Sequence, residues 1–277
     1  MKKTPILFVC AAMMLTGCSG ATANIKDKDE TIMTIGDTKY TKGDEYELLK
    51  VSTGTDLTME LVKQAIYKQE VKVTKEMKEK AQEQVDNYKE NMEYFDEQIQ
   101  SLGYKNSKQY MNKVLIPSLQ ASELTEKYFT DAKKDIQKTY KPSKARIIQC
   151  ENKATAKKAL KALKSGTDPE EVAQQYMIDS ATYSGKETLV TTKTTDLSTR
   201  LINKLSKAKK AGVIDEVFTN ESSGNTYAYV AVLVSNTYKD IKDDVYTTLS
   251  SDDDITKECL VYYLKKYNFE VHDQDVF

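Results

Sequence analysis

The chain has 277 residues, 41 Lys and Arg against 42 Asp and Glu, four cysteines, one histidine and no tryptophan. A net charge of −1 with no basic block excludes a nucleic-acid protein that works by neutralising many phosphates. The lone histidine, His272, argues against histidine-based catalysis or a His-ligated metal site, while 39% apolar residues suffice for one large core or two ordinary ones. No cofactor or metal is expected, since no phosphate loop, catalytic triad or metal-ligand cluster stands in the sequence.

Lys2 and Lys3 precede an apolar run at 6–15 that is too short to span a bilayer, so the N-terminus reads as a signal peptide. The run ends in Leu15-Thr16-Gly17-Cys18, which resembles a bacterial lipobox. Residues 1–17 would then be removed and Cys18 diacylated as the first mature residue. Two acyl chains hold a protein on a membrane far more firmly than one. No later segment reaches about 18 apolar residues, so the rest is expected in water outside the membrane. Cleavage also takes Cys10, leaving Cys150 and Cys259 beside the lipidated cysteine. An extracytoplasmic location permits their pairing, although burial without pairing is the commoner fate of two distant cysteines. Neither has a histidine nearby to activate it as a nucleophile.

Residues 18–30 lack periodicity and are expected to form a flexible tether. Residues 32–40 read as strand, Gly36-Asp37 turn and strand, and Thr41 with Asp44 three residues on suits the start of a helix. From there to Ile136 the helical period dominates. Leu57, Leu61, Val62, Ala65 and Ile66 share a face, and Met77, Ala81, Val85, Tyr88 and Met92 continue at steps of three and four. Thr74 suits an N-cap, Gly103 ends the next stretch, and Ser107 opens another that Pro117 should kink. Met59, Met77, Met92 and Met111 suit either an adaptable groove or, more commonly, irregular gaps in a core.

At Lys141-Pro142-Ser143 the pattern changes. Residues 144–150 predict a strand and 154–164 a helix stopped by Gly166; Asp168 then caps a helix with Pro169 in its first position. Leu197, Leu201, Ile202 and Leu205 mark a further helix, 213–217 is extended, and 222–225 forms a turn. The strongest strand is 226–235, whose near-continuous apolar run implies burial on both faces. Residues 255–267 return to helix, and Phe269-Glu270-Val271 suits a last short strand.

The lipobox, the helical array, the strand at Ala145-Arg146-Ile147-Ile148 and the phrases at 174–180 and 207–217 stand in an order that resembles the PrsA-type foldases. These are lipid-anchored folding factors of Gram-positive bacteria. The resemblance implies an α+β chain, with a SurA-like helical chaperone lobe from 31–142 and 238–277 and a parvulin-like domain inserted at 143–237. It places the last strand beside the first. It also implies binding of unfolded exported polypeptides at the outer face of the cytoplasmic membrane, and a peptidyl-prolyl cis-trans isomerase domain.

Active parvulins carry two facing histidines, one in the first strand and one in the last. The matching positions here are Arg146 and Tyr229, or Tyr227 if the turn is placed differently. The acidic pocket position matches Asp179, and the Gly-Gly-Asp phrase after it is reduced to Ser184-Gly185-Lys186. Leu197 and Leu201 stand where Met and Phe usually meet the proline ring. A weak or inactive isomerase is therefore expected, because favouring the twisted amide against a barrier of about 18–20 kcal/mol draws heavily on electrostatic stabilisation. Each residue also has a plain role: Asp179 as a turn carboxylate, Leu197 and Leu201 as core beside Leu205, Arg146 in an ion pair. An active isomerase is the alternative function. A solute-binding lipoprotein is a further one, opposed by the helical N-terminal half where such receptors alternate strand and helix. The sequence leaves open whether the chain forms a homodimer.

Overall fold

The computed structural model describes residues 25–222 and 225–272; the expected signal peptide, Cys10, Cys18 and the tip of the expected 222–225 turn lie outside them. The described chain is mixed helix and sheet, as expected. It divides into two compact units: Thr125–Glu258, and the remainder up to Leu124 together with the stretch from Cys259 onward. The 143–237 segment lies inside the former.

The N-terminal unit begins with a turn at 25–30, at the end of the expected tether. Its Lys28 and Glu30 carbonyls accept the N–H groups of Gly43 and Lys42 at 2.8 and 3.0 Å. β1 (Thr31–Ile35) and β2 (Thr38–Thr41) form an antiparallel hairpin turned at Gly36, whose φ of +59° favours glycine. Thr41 then opens α1 (Lys42–Glu70) with a reciprocal cap: its hydroxyl accepts the Asp44 N–H at 3.2 Å, and the Asp44 carboxylate accepts the Thr41 N–H at 2.8 Å. The Thr41 N–H, together with the Thr41 hydroxyl, which donates to the same carboxylate oxygen at 2.9 Å, holds the Asp44 carboxyl below its ordinary pKa.

The Thr74 hydroxyl accepts the Met77 N–H at 3.1 Å and so starts α2 (Lys75–Asn91). α2 buries Met77, Ala81 and Val85, and these last two pack with Phe95 and Ile99 of α3 (Phe95–Ser101). Asn106, one residue before the expected start, caps α4 (Ser107–Tyr110). Ahead of Pro117, expected to kink the helix, lies a π-helical turn, Met111–Leu115, that leads into α5 (Ile116–Asp131). Across it, Ile116 N–H reaches back five residues to the Met111 carbonyl.

The C-terminal part of this unit is the end of α11 (Asp253–Lys266). Glu70, with its side chain 4% exposed, pairs with Lys266 and accepts the Tyr267 hydroxyl at 2.6 Å. The expected strand at Phe269-Glu270-Val271 does not form. Asn268 turns left-handed at φ 47°, and Phe269 N–H closes the helix by donating to the Leu264 carbonyl at 3.0 Å, which withdraws it from any ladder. Among the described residues β1 pairs with β2 alone, so no last strand lies beside the first.

In the other unit, α6 (Lys133–Tyr140) ends at Lys141 in the left-handed region and releases the chain into β3 (Ser143–Cys150). β3 joins an antiparallel sheet with β4 (Ser184–Val190), β5 (Gly212–Val213), β6 (Phe218–Ser222) and β7 (Asn225–Ser235). The path runs β4-β3-β7-β5, with β6 also on β7. β7 is central, as its apolar run requires. α7 (Lys153–Lys164) and α8 (Pro169–Tyr176), capped by Asn152 and Asp168, bury Ile148, Cys150, Ala228 and Val230 on one face. α9 (Thr199–Lys207), capped by Ser198, buries Ala145, Ile147, Tyr229, Ala231 and Leu233 on the other.

α10 (Tyr238–Leu249) buries Tyr238, Ile241, Val245 and Leu249 at helical spacing, an element the reading of the sequence passed over. Neither Cys150 nor Cys259 is in a disulfide, and both are buried. Burial pushes the Cys150 thiol up to about 11, which keeps it protonated and unreactive.

Candidate functional site

Strand alternation decides which of the expected pocket residues meet. Gln149 stands opposite Tyr229 and Ile147 opposite Ala231, so the odd-numbered residues of β3 share the α9 face with Tyr229. Leu197, Leu201 and Tyr229 are 4%, 0% and 3% exposed in one cluster with Ile202, Leu205 and Phe218. The structure thus brings these three residues together, as core.

Arg146 points to the opposite face, with Ile148 and Cys150. Its guanidinium bridges Glu170 of α8 at 3.1 Å and Glu187 of β4 at 3.0 Å. Arg146 is therefore not brought to Tyr229, and the β3 residue on the Tyr229 face at this level is the fully buried Ile147. Asp179 sits exposed in the turn after α8. Gln149 organises that turn: its carbonyl accepts the Ile178 N–H at 3.1 Å, its N–H donates to the Tyr183 carbonyl at 3.1 Å, and its side-chain oxygen accepts the Thr182 N–H at 2.9 Å. These bonds tie the turn's backbone to the Gln149 end of β3 and leave the Asp179 side chain in water.

Two residues outside the sequence reading complete this face. The Tyr183 hydroxyl donates to Asp196 Oδ1 at 2.8 Å, and its ring meets Tyr229 edge-on at 6.2 Å between centroids. The Asn220 amide donates to the Asp196 carbonyl at 2.9 Å, which fixes the loop before α9. Burial, reinforced by the bond to Asp196, pushes the Tyr183 phenol far above its ordinary pKa, and burial raises that of Tyr229. Both phenols are thus protonated at neutral pH. The face offers an apolar wall and a hydroxyl committed to a carboxylate; it has no nucleophile set beside a base. Nothing in the sequence marks Tyr183 and Asp196 as a pair, because they lie 13 residues apart on either side of β4. Among the described residues no group of His, Cys, Asp or Glu is placed to hold a metal ion.

The N-terminal unit presents a different surface. Leu57 and Leu61, expected to share a packed stripe with Ile66, are 54% and 67% exposed, while Ile66 is buried. Helical period puts apolar side chains on one side, but only a partner element buries them, and no described element covers these two. Leu48, Leu49 and Val51 on the same helix are exposed too, as are Ile32, Met33 and Ile35 of β1. Of the four methionines, Met77 is core, Met111 packs against the core, Met59 is half-buried and Met92 is exposed. No described helix is long and apolar enough to cross a membrane.

No family model matches the chain. The chain is similar to the foldase protein PrsA of Bacillus subtilis (strain 168), at 24% identity over 293 residues that cover 100% of this chain and 93% of that protein. Among solved structures, the peptidylprolyl isomerase (PrsA) of Bacillus cereus shares 21% identity with a TM-score of 0.51, covering 90% of this chain and 96% of that one. The foldase protein PrsA of Streptococcus pneumoniae shares 20% identity with a TM-score of 0.39, over 89% and 97% of the two chains. The resemblance to PrsA-type foldases thus holds in sequence along the whole chain, and in fold through the Bacillus cereus structure.

Proposed function

We propose that this chain is an extracytoplasmic foldase of the PrsA type, which holds unfolded exported polypeptides on the apolar surface of its helical part. Cys18 anchors it to the outer face of the cytoplasmic membrane, and the parvulin-like domain at 143–237 is degenerate. The observation that carries this reading is the exposure of apolar side chains on α1, of which Leu57 and Leu61 lie one turn apart on one side of the helix. Large exposed apolar patches are uncommon on soluble proteins and mark surfaces that bind.

The energetics suit holding. Burying apolar surface yields roughly 25 cal/mol per Å², so a client segment hiding a few hundred Å² gains several kcal/mol before ordering costs reduce it. Such burial is non-directional and tolerates many sequences. Isomerisation asks for something else, namely tighter binding of the twisted prolyl amide than of the planar one. Leu197, Leu201 and Tyr229 are enclosed in core, Arg146 is engaged by two carboxylates, and Asp179 stands in water, an arrangement poorly suited to that discrimination.

The test is suppression of aggregation of an unfolded client by the full chain and by its Leu57→Ser/Leu61→Ser variant. The variant should need at least twice the molar ratio for equal suppression while keeping its helical circular dichroism. Equal suppression by both would overturn α1 as the holding surface.

A further inference from the structure

The helical part also contains an open recess of about 1050 Å³, lined by the second half of α1, the start of α2, the π-helical turn and the start of α5. That volume lies at the upper end for ligand pockets. Its charges are one-sided: Lys63 and Lys68 of α1, Lys78 of α2 and Lys113 of the π-helical turn line it, against the single carboxylate of Glu60. Lysines elsewhere on α2 are satisfied locally, Lys75 by Glu79 at 3.1 Å, Lys80 by Glu76 at 2.8 Å and Lys89 by Asp96 at 3.3 Å. The four at the cavity have no ion-pair partner among the described residues.

Between the lysines the wall is apolar, from Val73, Val114, Ile116 and Pro117. Pro117 has no N–H, so one rung of the helical ladder is missing beside Asn112 and Lys113, which both line the cavity. Leu57, Leu61, Gln64 and Lys68 follow at steps of four, three and four along α1, which puts the exposed leucines and the cavity wall on one side of that helix. The apolar client surface therefore runs into a cationic recess. The whole chain carries a net charge of −1, so this positive field is local.

We propose that the recess selects among clients, taking extended segments in which Asp or Glu is interspersed with apolar residues. The proposal rests on the holding function above and adds the class of segment held. Four unneutralised ammonium groups attract a carboxylate-bearing chain and repel a basic one, while the apolar wall accepts the residues between its charges. The preference is electrostatic and partly solvent-exposed, so added salt should erode it: the screening length is about 10 Å at 0.1 M and about 3 Å at 1 M.

The experiment uses the full chain in detergent and three fluorescein-labelled unstructured peptides of equal length and apolar content, carrying four Glu, four Ser or four Lys. Fluorescence anisotropy should show the acidic peptide binding at least tenfold more tightly than the basic one at low salt, with the gap closing as NaCl rises. Lys63→Gln/Lys68→Gln/Lys78→Gln/Lys113→Gln should abolish that gap and leave the neutral peptide within twofold. Glutamine keeps the helix propensity of lysine, and an unchanged melting curve confirms the fold. Lys157→Gln/Lys158→Gln/Lys161→Gln, on α7, should leave the preference intact. Equal binding of all three peptides, or a preference that survives the cavity variant, overturns the selectivity while the holding function stands. Failure of all three peptides to bind overturns both.

Discussion

Replacing Tyr183 by Phe removes one hydroxyl and keeps the ring that packs edge-on against Tyr229. The lost bond, 2.8 Å to Asp196, is charge-assisted and partly buried. Hydrogen bonds to charged groups contribute about 1.5–3 kcal/mol, and access of water to this one places the expected loss near 1–2 kcal/mol. The pH dependence separates the buried hydroxyl, whose pKa is raised first by burial and then by the bond to Asp196, from the packing of the ring. Tyr183 has its folded-state pKa raised above the unfolded value of about 10, so the hydroxyl's contribution is fully present below pH 10. As pH climbs beyond that value the unfolded chain releases a proton the folded chain retains, and stability falls by about 1.4 kcal/mol per pH unit for this group. Phenylalanine has no proton to release. The gap between wild type and variant should therefore be largest at pH 8 and shrink by pH 11. Urea unfolding followed by hydrogen exchange of the β3 and β7 amides reads the sheet unit alone. A variant as stable as wild type at pH 8, or a gap that widens above pH 10, would refute the role given to this hydroxyl.

Gly185 has φ +79°, and a Cβ there would lie 2.4 Å from the Pro169 carbonyl oxygen. Gly185→Ala should thus cost at least about 2 kcal/mol through backbone strain and displacement of α8 from β4, read as a lower midpoint in the same urea titration; an unchanged midpoint would contradict the close approach. Cys18→Ser should block incorporation of labelled fatty acid and release the protein from membranes, and undiminished labelling would remove Cys18 as the anchor.

Local chemistry made much of this fold legible. Thr41 with Asp44, Thr74, and Asp168 before Pro169 each announce a helix start by a bond that needs only neighbouring residues, and all three form. The long apolar run of β7 announces a central strand in the same way. β4 and β6 escaped because Ser184-Gly185-Lys186-Glu187 and the polar residues around Asn220 have little strand character alone; pairing with β3 and β7 makes them strands. Phe269 was lost to a helix-closing hydrogen bond that composition does not reveal.

The candidate site was legible only in part. Matching phrases located β3, but a one-residue step along a strand exchanges its faces, and so Arg146 lies among carboxylates while Ile147 lies with Tyr229. Leu197 and Leu201, expected against a proline ring or as core beside Leu205, are core; Leu201 lies on α9, while Leu197 precedes its cap, Ser198, and so stands outside the helix its spacing suggests. Tyr183 and Asp196 meet through tertiary packing across β4, which no local pattern records. The exposure of Leu57 and Leu61 was hidden for the opposite reason, since their pattern is that of a packed helix.

The most direct test of the proposed function gives one preparation of the full chain two tasks. In the first, an unfolded client aggregates as denaturant is diluted; in the second, a client refolds with a rate limited by prolyl isomerisation, a step of tens to hundreds of seconds at 25 °C. We expect suppression of aggregation at a near-stoichiometric ratio, no more than slight acceleration of the slow refolding phase, and no effect of Asp179→Ala on suppression. Strong acceleration of the slow phase, abolished by Asp179→Ala, would make the 143–237 domain a working isomerase and contradict a foldase that acts by holding.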